Sequence, residues 1–410
     1  MKHLYNIFFL LAVFAFASCT PEVDDVFDET ASARIKKAIE EDLNILQGAK
    51  NGWVIEYYPS ATRMYGGYTI LVSFDENENA KVSCDIFKSD MVVESKYRVI
   101  QSTGPTLTFD TYNEIFHLFS EPSNIFGIGD SGKGMEGDYE FLILECTPEK
   151  VVLKGKKTAN KMVMTPMPES KTWKQYLDEV KGITGKAYPA LYDVSVGGES
   201  KYKVTQKYHK FTLTNTDGSS VDLPFVYTED GIKFYEPVSI GNTQMQSLTW
   251  DNDQMAYING DIAVKSIIPD GYKPYDEYLG SYILTYNSRK VNVALGRVEN
   301  DPFNTLYVMK GFPYDIMVTY DAAYGRIGFE TQMLTSSIGF LPWSLGEAGS
   351  GPISNGTGVG MIGIYGDDGV INFVDNGVWG SALADSFIIY NLVTGQAVLQ
   401  IPYLQNMVKQ

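Results

Sequence analysis

Residues 68–87 read Tyr68-Thr69-Ile70-Leu71-Val72-Ser73-Phe74, then Asp75-Glu76-Asn77-Glu78-Asn79 and, after Ala80, Lys81-Val82-Ser83-Cys84-Asp85-Ile86-Phe87. Aromatic and β-branched residues fill both outer segments, as is typical of strands, and the five polar residues between them favour a hairpin turn. The stretch therefore predicts two antiparallel strands joined by a turn, at the centre of an all-β domain.

Similar strand-like segments lie on both sides of this hairpin. They are Trp53–Tyr58, Lys96–Gln101, Thr106–Phe109, Tyr139–Cys146 and Val151–Lys156. Short strands at this spacing with turn signals between them predict antiparallel meanders, which either close into a barrel or pack as a sandwich. We therefore expect a mainly β fold of barrel- or sandwich-like domains, and the periodicity does not choose between the two.

Two segments have the periodicity of helices. The first, Ala31 to Gln47, carries Ile35, Ile39, Leu43 and Leu46 on one face and is followed by Gly48, a natural C-cap, so we expect a short N-terminal helix packed on the first sheet. The second, Thr172 to Lys181, follows the proline-bearing Thr165–Pro168. That order indicates a domain boundary.

The length of 410 residues exceeds what one hydrophobic core usually serves, so two or three domains are expected. The segments above divide the chain into an N-terminal helix plus β domain (31–168), a middle β domain (169–268) and a C-terminal β domain (269–410). A glycine before a short strand ending in Phe recurs at Gly104–Phe109, Gly231–Phe234, Gly325–Phe329 and Gly369–Phe373. Its spacing is too irregular for a propeller, so we interpret it as similar β-meanders.

The N-terminus has the form of an export signal. Lys2 and His3 precede an apolar run, Ile7 to Ala17, that is too short to span a bilayer. Small residues then lead to Cys19, so residues 1–18 are predicted to be a lipoprotein signal peptide and Cys19 the lipidated residue; the alternative is a plain secretory signal. Residues 19–30 are predicted to be an acidic tether, which resembles the signal of lipoproteins displayed on the outer face of the outer membrane; a solvated linker is the alternative.

The charge of the chain excludes several classes of partner. Lys and Arg number 33 against 50 Asp and Glu, a net charge of −17. An acidic surface without a basic run repels nucleic acid and anionic lipid, so membrane attachment is expected through the lipid anchor alone.

The remaining thiols and imidazoles argue against a metal centre. Beyond Cys19 only Cys84 and Cys146 are present, and they either pair or stay as buried free thiols. His117 and His209 are the only histidines beyond His3, and no Cys or His cluster has the spacing of a zinc site. We expect no metal and no cofactor.

No catalytic motif is found in the sequence. Gly129–Gly134 resembles a phosphate loop, but Lys133 is followed by glycine rather than by Ser or Thr. We therefore expect no enzyme activity. A hydrolase with a carboxylate pair leaves no local signature, and Glu56, Asp110 and Glu140 are the acids that such a pair would use.

Exposed aromatic side chains are the candidate ligand contacts, because sugar rings stack on aromatic faces. Gly346–Gly369 holds nine glycines and predicts a long loop, and Trp343 and Trp379 flank it as candidate exposed aromatics. His117 lies in an aromatic segment, Tyr112–Phe119, and is either a ligand contact or a structural histidine. The ligand-binding candidates are therefore Trp343, Trp379 and His117.

Several motifs together resemble those of an uncharacterised family of Bacteroidota surface lipoproteins, domain of unknown function 4302. They are Phe27–Ile35, Asn51–Trp53, Glu56–Pro59, Gly66–Tyr68, Gly104–Asn113 with His117, Gly137–Phe141, Leu153–Lys157, Leu223–Phe225 and Gly231–Phe234. The resemblance implies partnership with a TonB-dependent outer-membrane transporter and its surface lipoproteins, and so capture of a nutrient, glycan or peptide. A non-binding structural subunit of the transporter assembly is the alternative. The family supplies no functional residues.

Overall fold

The computed structural model describes residues 30–410 except 124–127, 130–131, 188–190, 215–217, 242, 300, 302, 346–357, 367, 379 and 381–382. The described strands form three closed eight-stranded antiparallel barrels and one four-stranded sheet. The mainly β prediction is confirmed, and the chain forms barrels rather than sandwiches. The predicted Cys19 and Trp379 lie outside the described residues.

The first barrel follows the order of the sequence. Its strands are β1 Trp53–Tyr57, β2 Tyr68–Phe74, β3 Asn79–Cys84, β4 Val93–Gln101, β5 Pro105–Phe109, β6 Glu140–Cys146, β7 Val151–Gly155 and β8 Lys161–Pro166. Each strand pairs with the next, and β1 closes the barrel against β8, with Trp53 opposite Pro166. Alternate side chains such as Trp53, Ile55 and Tyr57 point inward and fill the interior.

Three α-helices attach to this barrel: α1 Ala31–Gly48, α2 Glu114–Ser120 and α3 Trp173–Thr184. Ile39, Leu43 and Leu46 of α1 pack on the barrel core, and the Trp53 indole donates to the carbonyl of Leu46 at 2.9 Å. The predicted N-terminal helix is thus confirmed in place and in packing. The seven-residue α2 was not predicted, because so short a helix shows no periodicity.

The second barrel follows α3. Its strands are β9 Leu191–Val196, β10 Glu199–Lys207, β11 Lys210–Thr214, β12 Ser220–Tyr227, β13 Gly231–Ile240, β14 Thr243–Asp251, β15 Ala256–Asn259 and β16 Ile262–Ser266. It closes when β16 pairs with β9. The helix between the two barrels begins with a capping box formed by Thr172 and Gln175, which explains why a helix starts directly after the proline-bearing segment.

The third barrel is interrupted by an inserted sheet. A 3₁₀ turn, Tyr275–Tyr278, precedes barrel strands β17 Gly280–Tyr286, β18 Arg289–Arg297, β19 Leu306–Lys310, β20 Ile316–Asp321, β21 Arg326–Glu330, β24 Val359–Tyr365, β25 Val370–Asp375 and β28 Leu404–Lys409. The inserted sheet has the order β22 Gln332–Met333, β23 Ile338–Trp343, β26 Ser386–Asn391 and β27 Ala397–Ile401.

One prediction within this unit is wrong. The glycine-rich stretch from Gly346 to Gly369 was expected to be a single loop, but β24 lies within it and pairs with both β21 and β25. Gly363 occupies a mid-strand position where a Cβ would lie 2.7 Å from a side-chain carbon of Ile327. Glycine there permits close packing in a strand, and a glycine count alone does not separate that from a loop.

The first two barrels meet through their main chains. Gly67 N donates to the carbonyl of Phe225 at 2.9 Å, and Gly66 forms an isolated bridge with His209. Gly66 has φ +70°, and a Cβ at this position would lie 2.0 Å from the carbonyl oxygen of His209. Glycine is therefore required at this contact, both for the backbone conformation and for the close approach.

The imidazole of His209 lies at the centre of this contact. Its Nδ1–H donates to the carbonyl of Gly67 at 2.5 Å, and its ring lies 4.7 Å from that of Tyr68. Phe303, from the segment between β18 and β19 of the third unit, contacts the same ring at 6.4 Å. Gly66, Gly67, Tyr68, His209 and Phe303 are called the junction below, and through them all three barrels touch.

The two described cysteines are free thiols. Cys84 is buried in the first barrel, where burial raises the pKa of its thiol well above the usual value. Cys146 is half-buried beside α1, and burial raises its pKa to about 12. Of the two alternatives left open by the sequence, the structure has the free thiols, and both are protonated and unreactive at neutral pH.

Candidate functional site

Three aromatic rings form a row at one end of the first barrel. The ring of His117 lies 4.7 Å from that of Tyr112 and 4.9 Å from that of Tyr139, and the second pair is stacked with an angle of 17° between the planes. Tyr112 and Tyr139 are 59% and 41% exposed. We call these three residues the aromatic rim. It brings one predicted site residue, His117, between two tyrosines that face solvent.

Helix α2 positions His117. The buried side chain of Asn113 caps the helix by accepting from the amides of Ile115 and Phe116 at 3.1 and 3.2 Å. Phe116 and Phe119 face the barrel interior, so His117, between them in sequence, faces outward. The His117 Nδ1 lies 3.1 Å from the amide nitrogen of Asn113 and 3.0 Å from its carbonyl oxygen, and these contacts fix the ring.

Tyr139 is held by the two residues before it. A Cβ at Gly137 would lie 2.4 Å from the hydroxyl of Tyr57 and 2.6 Å from Cβ of Phe119, so only glycine fits there. The Tyr57 hydroxyl bridges the amide and carbonyl of Asp138, each at 2.9 Å. The Asp138 carboxylate in turn accepts from Thr158 at 2.5 Å and from the amide of Lys157 at 2.6 Å. The Gly137-Asp138-Tyr139 sequence therefore anchors the exposed ring to the barrel.

Polar groups border the rim. The hydroxyl of Tyr112 donates to Oε1 of Glu121 at 2.8 Å, and this hydrogen bond is the main cause that raises the pKa of Tyr112. Within the described chain, no partner is found for Nε2 of His117. Because Nδ1 has both a donor and an acceptor beside it, Nε2 is free to act as either acceptor or donor.

This arrangement has the features of a binding surface. Exposed aromatic faces stack against the C–H faces of sugar rings or against apolar side chains, while the carboxylate and imidazole edge supply directional hydrogen bonds. The arrangement offers a platform that a ligand covers from one side.

Trp343 is not exposed, so the prediction of an exposed ring is wrong. It lies at the end of β23 with only 7% of its surface accessible, packed with Leu341, Ile388 and Tyr390. Every residue from Ile338 to Trp343 is buried, because the strand is covered on both faces. The continuous apolar run was the signal for this, and the neighbouring glycines outweighed it in our interpretation.

The three candidate acids lie in two places on the first barrel, Glu56 on one side and Asp110 with Glu140 on the other. Glu56 faces the second barrel and pairs with Lys233 at 2.5 Å. Asp110 pairs with Arg98, and Glu140 pairs with Lys156 at 3.1 Å. Strand β1, which carries Glu56, lies across the barrel from β5 and β6. Each of the three carboxylates therefore takes part in an ion pair with a basic residue of the chain.

Sequence reasoning missed the two tyrosines of the rim and the acid that borders it. Tyr112 and Glu121 lie on either side of α2, whereas Tyr139 lies just before β6. Their proximity follows from the closure of the barrel around α2, which local patterns do not show. The usable signal was Gly137-Asp138-Tyr139, where a glycine and a buried acid precede an aromatic residue.

A second polar cluster lies beside the junction. Burial lowers the pKa of His209 below its usual 6.5 and raises that of the half-buried Asp85, while the two charges attract each other. Lys181 of α3 donates to the carbonyl of Phe87, and burial lowers its pKa. Because His209 is almost fully enclosed between the barrels, we interpret this cluster as structural.

Two kinds of feature are absent from the described residues. No helix there is both long enough and apolar enough to cross a membrane. No group of three or more His, Cys, Asp and Glu side chains in that part of the chain is arranged to hold a metal ion.

The described residues define a mainly β protein of three closed barrels, with an exposed aromatic rim on the first. Residues 23–252, more than half of the chain, match the family described as "Domain of unknown function (DUF4302)", and the protein belongs to that family. Residues 256–390 match a second domain of unknown function, DUF4987. The boundary between the two matches falls within the second barrel, between β14 and β15.

Other comparisons add little. No curated protein matches the chain. Among solved structures, the chain is similar to "Dihydro-heme d1 dehydrogenase NirN in complex with DHE" at 10% identity, over 88% of this chain and 74% of that one. The TM-score is 0.12, so this similarity carries no argument about fold or function.

Proposed function

We propose that this protein is an outer-membrane surface lipoprotein that binds a nutrient, a glycan or a peptide, and passes it to a TonB-dependent transporter. The aromatic rim is the binding surface in this proposal. The supporting observation is the row of three rings, two of them more than one-third exposed, fixed by a buried helix cap and a buried carboxylate.

The rim favours a glycan over other nutrients. Tyr112 and Tyr139 expose aromatic surface on both sides of His117, and contiguous exposed apolar surface is typical of binding sites. A sugar ring offers a flat C–H face for the tyrosines and hydroxyl groups for the Glu121 carboxylate and Nε2 of His117. The net charge of −17 adds repulsion against polyanions, so neutral polysaccharides are the expected class.

The test is calorimetric binding of Thr20–Gln410 to a panel of polysaccharides and peptides, with product analysis on the same samples. Tyr139→Ala is expected to weaken binding at least about fivefold, since one aromatic contact contributes roughly 1 kcal/mol beyond buried area. Tyr324→Ala is the matched control, because Tyr324 is 54% exposed, against 41% for Tyr139, but lies on the third barrel against Arg326.

Three results would count against the proposal. Equal affinities of the Tyr139→Ala and Tyr324→Ala variants would remove the rim as the site. If the protein bound none of the polysaccharides and peptides in the panel, the proposal of nutrient capture would be excluded. Release of shorter products would identify a hydrolase instead.

A structural subunit of the transporter assembly remains the second candidate, and one observation favours it. Leu392, Val393 and Val398 are exposed on the inserted sheet of the third unit. Contiguous exposed apolar surface is typical of protein contacts. A protein that binds no ligand but co-purifies with the transporter would support this role over capture.

A further inference from the structure

The inserted sheet has two edge strands, and they differ in whether their main-chain groups are covered by other parts of the chain. At one edge, β22 is only two residues long, and its Gln332 side chain bonds both the amide and the carbonyl of Met317 at 2.8 Å. Met317 belongs to β20 of the barrel. This edge is therefore tied to the third barrel and is closed to further strands.

The other edge is open. β27 pairs with β26 on one side, from Ile401 opposite Phe387 to Ala397 opposite Tyr390. Within the described chain, no other hydrogen bond reaches the main chain of Ala397–Ile401. An antiparallel strand directs alternate N–H and C=O groups away from its neighbour, so this strand presents a row of groups that a further strand would satisfy.

The surface beside this edge is uncharged and carries the exposed apolar side chains of Leu392, Val393 and Val398. All residues from Leu392 to Val398 are exposed, and a bulge against β26 makes Val398 the extra residue, with 46% of its surface accessible. No Asp, Glu, Lys, Arg or His occurs between Ser386 and Val408, which is the longest such run in the chain. Open edges in soluble proteins usually carry a charge or a proline within the strand, and β27 has neither.

We propose that β27 is the seam of a homodimer, in which it pairs antiparallel with β27 of a second copy. A chain of net charge −17 is repelled by its own copy over most of its surface. The segment from Ser386 to Val408 has no charged side chain, so two copies can approach each other there without like charges facing one another. An identical strand also supplies a self-complementary apolar surface, as a twofold interface requires.

The seam also limits the assembly to two copies. Pairing of β27 with β27 joins two four-stranded sheets into one continuous sheet, and both of its remaining edges are β22 strands closed by Gln332. The twofold contact uses the open edge of each copy once, so no further copy is added.

Sedimentation velocity over a range of concentrations tests the proposal on Thr20–Gln410, which keeps every described residue. The expected result is a monomer–dimer equilibrium that shifts toward dimer as salt screens the repulsion between acidic surfaces. An interface held by ion pairs would weaken instead, and that result would overturn the proposal.

Val398→Lys places two like charges at the seam and removes an apolar contact from each copy. The dimer dissociation constant is expected to rise at least about tenfold. Val221→Lys is the matched control, since Val221 is 48% exposed on β12 of the second barrel, and it should leave the dimer unchanged. Equal effects of the two variants would place the contact elsewhere and overturn the proposal.

Hydrogen exchange of the unaltered chain gives a readout that does not depend on a variant folding. Amides of Ala397–Ile401 should gain protection as concentration rises, while those of β12 should not. A monomer at every concentration, with constant exchange in β27, would refute self-pairing and leave the edge to a different protein. Growth beyond dimers would refute the closed twofold arrangement.

Discussion

The junction and the open edge of the inserted sheet are two contact surfaces of the same chain with opposite chemistry. The junction uses glycines, main-chain hydrogen bonds and a buried imidazole, all satisfied within the chain. The edge has exposed valines, an uncharged run and main-chain groups without a further described partner.

This difference shows how to distinguish a surface whose polar groups are already paired within the chain from a surface that can still bind another molecule. At the junction, a buried polar atom is tolerated because its partner is fixed by the fold. At the edge, main-chain groups stay hydrated until another strand arrives, and the apolar side chains beside them supply the gain in free energy on association. Changes at the junction should therefore affect unfolding, whereas changes at the edge should affect assembly.

The largest expected effect concerns the inserted sheet itself. Trp343→Ala removes a buried side chain packed with Leu341 and Ile388, and we expect it to lower the free energy of unfolding by about 3–5 kcal/mol. Val398→Ala, on the edge of the same sheet, should change it by less than about 0.5 kcal/mol. Urea denaturation followed by circular dichroism measures both, and similar values would show that the edge is already buried.

The junction should be nearly as sensitive. Gly66→Ala combines a left-handed backbone conformation with a Cβ 2.0 Å from a carbonyl oxygen, and should destabilise the protein by about 3 kcal/mol. Gly271→Ala is the control, since Gly271 has φ +74° with open space around it, and should cost only about 1 kcal/mol. Thermal unfolding of the two variants distinguishes close contact from backbone strain, and equal losses would contradict the contact.

The stability of the junction should depend on pH. Burial lowers the pKa of His209, so the native state favours the neutral imidazole, and the stability it contributes above the usual value of 6.5 is lost as pH falls below that value. Asp85 has the opposite effect on stability. Its raised pKa makes the native state bind a proton more readily than the unfolded state, so Asp85 contributes stability as pH falls.

The His209→Gln variant isolates the histidine. Its melting temperature should fall less than that of the unaltered chain between about pH 7 and about pH 5. In Asp85→Asn the melting temperature should fall more steeply than in the unaltered chain. The variant lacks the carboxylate that attracts a protonated His209, and it also lacks the proton uptake by Asp85 that opposes the effect of His209. Parallel melting curves for all three proteins would exclude a titrating junction.

The smallest effect is expected at the ion pair between Glu56 and Lys233, which joins the first two barrels. Both side chains retain some solvent contact, so Glu56→Gln should cost about 1 kcal/mol or less, and the cost should shrink with added salt. Asp178→Asn, which breaks the exposed pair with Lys174 on α3, should cost still less. A loss of several kcal/mol at Glu56 would mean that the pair is part of the closed contact.

The sequence predicted the strands of the first barrel well, because each is a short apolar run bounded by turn residues. It missed β8, Lys161–Pro166, since the prolines at Pro166 and Pro168 suggested a boundary rather than the end of a strand. The sequence also could not predict that the sheets close into barrels, because inward and outward side chains alternate in the same way in a barrel and in a sandwich.

The candidate site was predictable only in part. His117 was found because a histidine in a segment of aromatics is conspicuous, but the stacked ring of Tyr139 comes from a segment beyond α2. That contact depends on how β5 and β6 pair across the intervening chain. The prediction for Trp343 was wrong for the opposite reason. Its neighbours in the sequence suggested an exposed ring, but residues that are distant in the sequence cover it.

The order of strands around each barrel also determines when that barrel can fold. In the first barrel every strand pairs with the one before it, so hairpins can add one after another until β8 meets β1. In the third, β21 pairs with β24 and β25 pairs with β28, so strands of the inserted sheet lie in the sequence between barrel neighbours. Long loop closure is slow, so the last barrel stays open longest, with its apolar strands available to chaperones or to misfolding.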